Sequence, residues 1–337
     1  MFNIPFFKSN KQICIKPFNN IEIDSFGDVY TCCPAFIKFY KIGNIWDENI
    51  KSINDIWYSK EACELRKNLL KKNYSLCNLD ICKEIRFDTD KNIFKVKPPL
   101  PEVITLAYDK ECNIQCITCR DEKIKNTKED EEFYNERIDS ILLPLLSNAK
   151  SIKLNGSGEL FFSNHSRTLV KKLTEINKEV RFTIQTNGIL FNKANYEYLG
   201  LNNRIENLYI SIHALDKEIY EKIMIGSNLD IVLQNLKWAS ELQKTREIER
   251  VFITTVISTL NYKEIPKMLE LAQDLDIWMS FTVYYPWGTC LDNKYEELSI
   301  WDEKHSEYNS FTEIIKHIKN VNYDKCTLPS CFENLIK

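Results

Sequence analysis

Cys112, Cys116 and Cys119 lie in the run Glu111-Cys112-Asn113-Ile114-Gln115-Cys116-Ile117-Thr118-Cys119-Arg120. Three thiolates spaced C-x3-C-x2-C on one loop reach three corners of a cube of iron and sulfide. The fourth iron is then left without a protein ligand. An open position of that kind binds a substrate or cofactor, whereas an electron-transfer cluster normally takes four cysteines. Zinc is the alternative occupant, but it usually takes four ligands with C-x2-C pairs, and no fourth ligand stands nearby.

A second set of cysteines precedes the first. Cys14 and Cys32 follow the pattern C-x12-G-x4-C with Gly27 inside it, and Cys77 and Cys82 form a later pair. Four thiolates can ligate a further [4Fe–4S] cluster completely, and they equally suit tetrahedral zinc. Cys33 adjoins Cys32, but alternation along a strand turns it to the opposite face. Cys63 falls inside a helical stretch and reads as a buried apolar thiol. Cys290, Cys326 and Cys331 are left as packing residues, ligands of a third cluster, or thiols with a chemical role.

Two kinds of element must position these residues. Ile21–Asp24 and Val29–Cys32 alternate as strands around the turn Ser25-Phe26-Gly27-Asp28, which predicts a β-hairpin. Helical periodicity runs from Ser52 to about Lys72, and the prolines of Lys95–Pro101 read as a linker. From Glu102 onward, strands at Val103–Ala107, Ser151–Leu154, Arg181–Gln185, Asn207–Ile212, Val251–Ile257 and Trp278–Tyr284 alternate with helices. The helices fall at Glu131–Ser147, Thr168–Lys178, Asn195–Leu199, Leu229–Gln243 and Lys263–Leu275, with another at Phe311–Lys319. Six β units separated by helices call for an α/β fold with a parallel sheet, and right-handed crossovers curl such a series into a partial (β/α)6 TIM-type barrel. The expected organisation is a cysteine-rich α+β module over 1–98, the barrel over 99–290 and a C-terminal extension over 291–337.

The chain has 337 residues, of which 44% are hydrophobic and 28% charged, so it can bury a real core. A formal net charge of −3 points neither to nucleic acid nor to an anionic membrane. No stretch approaches the ~20 apolar residues that span a bilayer, and the first eight residues do not make a signal peptide. The expected location is the cytoplasm, where twelve cysteines are better read as ligands than as disulfides.

With its cysteine motif directly after the first strand of such a barrel, the sequence resembles the radical S-adenosylmethionine superfamily from Val103 to Trp287. Thr118 stands where that family often has an aromatic residue. The resemblance implies that S-adenosylmethionine chelates the open iron of a [4Fe–4S] cluster held by Cys112, Cys116 and Cys119. One-electron reduction then gives a 5′-deoxyadenosyl radical that takes hydrogen from a substrate. Asn155-Gly156-Ser157-Gly158-Glu159 is similar to the family's GGE segment, which places Gly156, Ser157, Gly158 and Glu159 at the methionyl group. The same resemblance puts Ser211 against the ribose and offers Asn261 as an adenine contact. Gln185-Thr186-Asn187-Gly188 and His213 end strands near the adenosine or substrate, His213 being equally a satisfied core histidine.

The N-terminal cysteines, with Gly43-Asn44-Ile45 and Trp57 between the pairs, resemble the auxiliary-cluster modules called SPASM and twitch. Such a module usually follows the barrel; here it comes first, and without the seven-cysteine pattern it suits one second [4Fe–4S] cluster. Two-cluster enzymes of this kind most often crosslink, epimerise or oxidise peptides. The alternatives are a radical dehydrogenase of a small-molecule alcohol or aminosugar, and a non-catalytic metal-binding protein. The partners implied are a peptide or small-molecule substrate and an electron donor such as flavodoxin or ferredoxin. Cys290, following the sixth strand, is the candidate hydrogen-atom donor to a product radical.

Overall fold

The computed structural model describes residues 13–80, 82, 87–88, 92–154, 157–284, 295–321, 323–329 and 331–332. In chain order, β1 (Ile13–Cys14), α1 (Lys16–Asn19), β2 (Asn20–Ile23), β3 (Asp28–Tyr30), β4 (Gly43–Asn44), α2 (Ile53–Trp57), α3 (Lys60–Leu70), β5 (Phe87–Asp88) and β6 (Val103–Leu106) come first. Next are β7 (Gln115–Cys116), α4 (Lys128–Arg137), α5 (Leu143–Leu146), β8 (Ser151–Leu154), α6 (Asn164–Ile176), β9 (Arg181–Thr186), α7 (Lys193–Tyr198) and β10 (Ile205–Ser211). The remainder is α8 (Lys217–Ile223), β11 (Met224–Ile225), α9 (Leu229–Lys244), β12 (Ile248–Ile257), α10 (Ile265–Leu275), β13 (Trp278–Val283), α11 (Tyr295–Leu298), α12 (Tyr308–Asn320) and β14 (Cys326–Thr327). The fold is mixed α/β with mostly parallel strand pairing, as the alternation of strands and helices requires. Among the described residues no helix is long and apolar enough to cross a membrane.

The chain divides into two compact units, Met1–Tyr108 with Phe133–Ile152, and Asp109–Glu132 with Lys153–Lys337. In the first, β2 pairs antiparallel with β3 and parallel with β6, and β3 pairs antiparallel with β4. The expected hairpin is therefore present. Its turn is tied by Asp24 Oδ1, which accepts from the amides of Phe26 and Asp28 at 2.8 and 3.0 Å. Gly27 takes φ +77° there, and a Cβ on it would stand 2.3 Å from the Trp46 ring. No L side chain fits that turn without moving the indole.

The long helix expected from Ser52 to Lys72 is two. Ser59 breaks it by capping α3, its hydroxyl accepting from the Ala62 amide. Arg66 of α3 is fully buried, stacks 3.9 Å from the Trp57 ring and donates to the carbonyls of Pro17 and Trp57. The proline stretch is not a free linker either. Trp57 Nε1 donates to Pro99 O at 2.9 Å and Tyr58 Oη to Pro98 O at 2.9 Å, fastening it to α2.

In the second unit β9, β10, β12, β13 and β14 pair in parallel, in the order β14-β13-β12-β10-β9. Ile184, Ile210, Ile253 and Met279 are fully buried on one face. Strand alternation turns Tyr209, Phe252 and Trp278 to the other. These three share a register, with ring centroids 4.3 and 5.6 Å apart. Two residues further along, Ser211, Thr254 and Ser280 stand abreast in the same register.

Candidate functional site

The cysteine loop is held by backbone pairing. β7 runs antiparallel to β11, setting Cys116 opposite Met224, and the Ile117 amide donates to Ile223 O at 3.0 Å. Cys112 N donates to Ile124 O at 3.1 Å, closing the loop's other side. Cys116 O accepts from the amides of both Cys119 and Arg120, which folds the last three residues into a tight turn. Cys112 is buried and Cys116 and Cys119 are half-buried.

The three thiols feel one another. Burial pushes Cys112 up to about 11, with the Glu159 carboxylate adding and Arg120 opposing. Burial likewise raises Cys116 far above the thiol range, Cys119 and Cys112 contributing next. Such thiols stay protonated on their own, and a bound cationic metal centre is what would ionise them. Among the described residues no three His, Cys, Asp or Glu side chains converge on a point the size of one ion. A cubane binds each thiolate at a separate iron, so its ligands stand further apart than those of a single ion.

The turn after β8 meets this loop. Ser157 is buried, its hydroxyl has no partner among the described residues, and its carbonyl accepts from Arg120. A buried hydroxyl with no partner is costly, so a polar ligand there would be favoured. Gly158 is pressed against the loop backbone: a Cβ would stand 2.6 Å from Asp109 O and 2.8 Å from Glu111 O. Glu159 is fully enclosed, and burial raises its carboxyl above the ordinary range against three hydrogen bonds. Its Oε1 accepts from Thr186 Oγ1 at 2.7 Å and Phe161 N at 3.2 Å, and its Oε2 from Asn187 N at 2.7 Å. Gly156 lies outside the described residues.

Asn187 extends this network to the cysteines. Its side-chain amide donates to Asn113 Oδ1 at 2.8 Å and lies 3.9 Å from Cys112 Sγ. Arg120, also buried, donates Nη1 to Lys110 O at 2.8 Å and Nη2 to Ser157 O and to Cys119 Sγ, the last at 3.5 Å. Sequence reasoning gave neither residue a role of its own. The available signals were the one cation adjoining the motif and the polar tetrad ending β9.

The remaining candidates sit at strand ends or elsewhere. Ser211 ends β10, half-buried and level with Thr254 of β12. Asn261 is buried; its amide donates to His213 O and Val256 O, both at 2.8 Å, while its oxygen accepts from Ser258 N at 2.8 Å. Both ends of its side chain are thus engaged in tying the loop after β12. His213 is enclosed, its Nδ1 accepts from Val256 N at 3.2 Å, and burial lowers its pKa to about 4. Cys290 lies outside the described residues. Cys326 is half-buried in β14 and Cys331 is exposed.

In the first unit, Cys14 lies in β1 and Cys32 in the bend after β3, both buried, and Cys77 and Cys82 are half-buried after α3. Burial and then Cys14 raise the Cys32 thiol well above its ordinary range, with Cys77 and Cys33 adding. Burial, Cys14 and Cys82 push Cys77 up to about 11. These four cysteines are therefore electrostatic neighbours. β3 ends at Tyr30 and Cys33 caps a 3-10 turn over Pro34–Ile37, so strand alternation is no guide to where Cys33 points. Cys63 is half-buried, its Sγ against Tyr58 O at 3.5 Å. No disulfide joins the described cysteines.

Residues 110–272 match the sequence model of the radical SAM superfamily, and residues 14–83 match that of SPASM, an iron–sulfur cluster-binding domain. Among curated proteins the chain is similar to a probable GTP 3′,8-cyclase of Saccharolobus islandicus, 27% identical over 184 residues that cover 53% of this chain and 55% of that protein. It is also similar to the GTP 3′,8-cyclase of Helicobacter pylori, 24% identical over 186 residues covering 53% and 54%. The chain thus spans about half the length of the curated relatives it matches. Among solved structures, Streptococcus suis SuiB superposes with a TM-score of 0.46 at 17% identity, covering 96% of this chain and 72% of that one.

Proposed function

Because residues 110–272 are a radical SAM domain preceded at residues 14–83 by a SPASM iron–sulfur domain, we propose that the chain is a two-cluster radical enzyme that modifies a peptide. Cys112, Cys116 and Cys119 hold a [4Fe–4S] cluster in this reading, and Cys14, Cys32, Cys77 and Cys82 hold a second. The first cluster, when bound with S-adenosylmethionine, supplies the electron whose transfer yields a 5′-deoxyadenosyl radical.

The protein's part is to hold and orient. The β7–β11 pairing fixes the cysteine loop. Ser157, with Gly156, Gly158 and Glu159, forms the methionyl end of the cofactor site, and the Ser157 hydroxyl is free among the described residues to accept a ligand donor. Ser211 serves the ribose and Asn261 acts by shaping the loop after β12. Cys14, Cys32, Cys77 and Cys82 would hold the centre that accepts an electron after hydrogen abstraction from a peptide Cα or Cβ, and for the alternative of hydrogen return from a thiol Cys290 is our candidate. A low-potential donor of the flavodoxin or ferredoxin class supplies the reducing electron. We assign 1–98 to the cysteine module, 99–290 to the barrel and 291–337 to the extension.

The peptide assignment rests on one observation, the SPASM iron–sulfur domain match over residues 14–83, which spans Cys14, Cys32, Cys77 and Cys82. A second cluster suits an oxidative or redox-coupled change to a peptide. The test is anaerobic incubation of the reconstituted chain with S-adenosylmethionine, a reductant and candidate peptides, following 5′-deoxyadenosine and peptide mass. Peptide-dependent 5′-deoxyadenosine with a mass change of the peptide is expected.

A small-molecule substrate is the second reading, favoured by the name GTP 3′,8-cyclase on the curated relatives. GTP in the same assay separates the two: turnover of GTP without any peptide would replace the peptide reading.

A further inference from the structure

Arg120 carries a charge that the described protein leaves unmatched. It is buried, and its guanidinium reaches two carbonyls, Lys110 O and Ser157 O, and one sulfur, Cys119 Sγ. Carbonyls satisfy hydrogens but neutralise nothing. Glu159 and Glu111 are the buried carboxylates of this neighbourhood, yet the oxygens of Glu159 are taken by Thr186, Phe161 and Asn187 and those of Glu111 by Asn126. A buried cation without a counter-charge is costly. The anions the site would offer instead are the thiolates of the cysteine loop once a cluster is bound, and Arg120 Nη2 already stands 3.5 Å from Cys119 Sγ.

The same side chain is also a bracket. Through one fork it joins the start of the loop at Lys110, its end at Cys119, and the turn after β8 at Ser157. Arginine's planar fork is suited to three such acceptors in fixed directions, which a lysine ammonium is not.

Resting on the cluster reading above, we infer that Arg120 is a positioning residue whose charge offsets the cysteine thiolates and sets the reduction potential of the cluster they bind. One-electron reduction by an external low-potential donor adds one negative charge to the cluster and breaks no bond in the protein. A fixed positive charge at Cys119 stabilises that reduced state, and a hydrogen bond to the ligand sulfur acts in the same direction. Removing the charge lowers the potential; keeping it without the fork lowers it less.

The experiment is an anaerobic, spectroscopically monitored redox titration of the reconstituted full chain, dithionite-reduced, comparing wild type with Arg120→Gln and Arg120→Lys. It is done in the Cys14→Ala, Cys32→Ala, Cys77→Ala, Cys82→Ala background so that one cluster is read. Arg120→Gln is expected to make the cluster at least tenfold harder to reduce, a shift of about 59 mV to lower potential for one electron. Arg120→Lys is expected to fall between it and the parent. An unchanged potential in an iron-replete Arg120→Gln protein overturns the inference. Iron loss in Arg120→Gln but not Arg120→Lys supports it, because charge alone then decides retention. Loss of iron from both variants with native far-UV circular dichroism overturns it, because the charge that Arg120→Lys retains then fails to hold the cluster; loss of fold in both makes Arg120 structural and overturns it as well. A parent protein that binds no iron at all refutes the cluster reading itself, and is distinguishable from every one of these results.

Discussion

Gly158 lies so close to the backbone of Asp109 that a Cβ there would stand 2.6 Å from the Asp109 carbonyl oxygen. The obstructing atoms, Asp109 O and Glu111 O, are main chain and cannot swing aside. The absence of a side chain therefore lets the turn after β8 and the cysteine loop touch. Gly158→Ala should force the loop away at a cost of about 1–3 kcal/mol, in the range of overpacking. Thermal unfolding of the reconstituted chain should show the loss, with iron per chain falling in parallel. An unchanged melting temperature would mean the loop yields without strain.

Glu159 binds Asn187 N through Oε2, so Glu159→Gln sets an amide donor against a donor there. The expected loss is about 1–3 kcal/mol, that of an unsatisfied buried group. The pH dependence has a definite sign. Burial raises the folded carboxyl above its unfolded value. Its stabilising contribution is therefore complete below the unfolded value and is lost as pH rises through the folded one. The deficit of Glu159→Gln should narrow on going from pH 5 to pH 8 in urea unfolding. A deficit that widens would contradict the assignment.

For His213 the sign is opposite. Burial lowers its pKa from 6.5 to about 4, so the folded state refuses a proton that the unfolded state accepts. Stability is full above 6.5 and falls as pH drops toward 4, by about 3 kcal/mol in all at 1.36 kcal/mol per pH unit. His213→Asn keeps an acceptor for Val256 N and should flatten the stability profile between pH 6.5 and 5. His165, lowered to about 4 by its own burial, should leave a residual slope. A profile as steep as wild type would exclude His213 as its source.

Replacing Cys112, Cys116 and Cys119 together by Ala should leave about four irons per chain after anaerobic reconstitution, the content of one cubane. Those irons would belong to Cys14, Cys32, Cys77 and Cys82. Loss of nearly all iron, with zinc found in its place, would make the first unit a zinc site and remove the support for a peptide substrate.

The alternation of strands and helices was legible because each parallel strand is a short apolar run of fixed period. Arg181–Gln185 and Trp278–Tyr284, read from pattern alone, differ by one residue from β9 and β13. Most of what escaped has too few residues to carry a period. β7 and β11 are two residues each, and β14, inside the expected C-terminal extension, is a two-residue strand beside β13. Glu131–Ser147 reads as one helix, yet a π turn over Ile138–Leu142 separates α4 from α5, which carries Pro144 in its first turn. The candidate cysteines could be picked out because their spacing is itself the signal. Arg120 and Asn187 were not, because what they do depends on carbonyls and sulfurs brought to them by distant strands.

The pairing of Gln115–Cys116 with Met224–Ile225 also bears on how the protein is made. A ribosome that has released only the cysteine motif has exposed three thiols on a loop whose backbone partner is not yet synthesised. More than a hundred further residues must emerge, including all of α8, before β11 can close on β7. Iron delivered during translation would meet a floppy peptide; iron delivered after release meets a preformed cradle. Loading of a metal centre on this loop would thereby be ordered in time, with the polypeptide folding first and the metal arriving second.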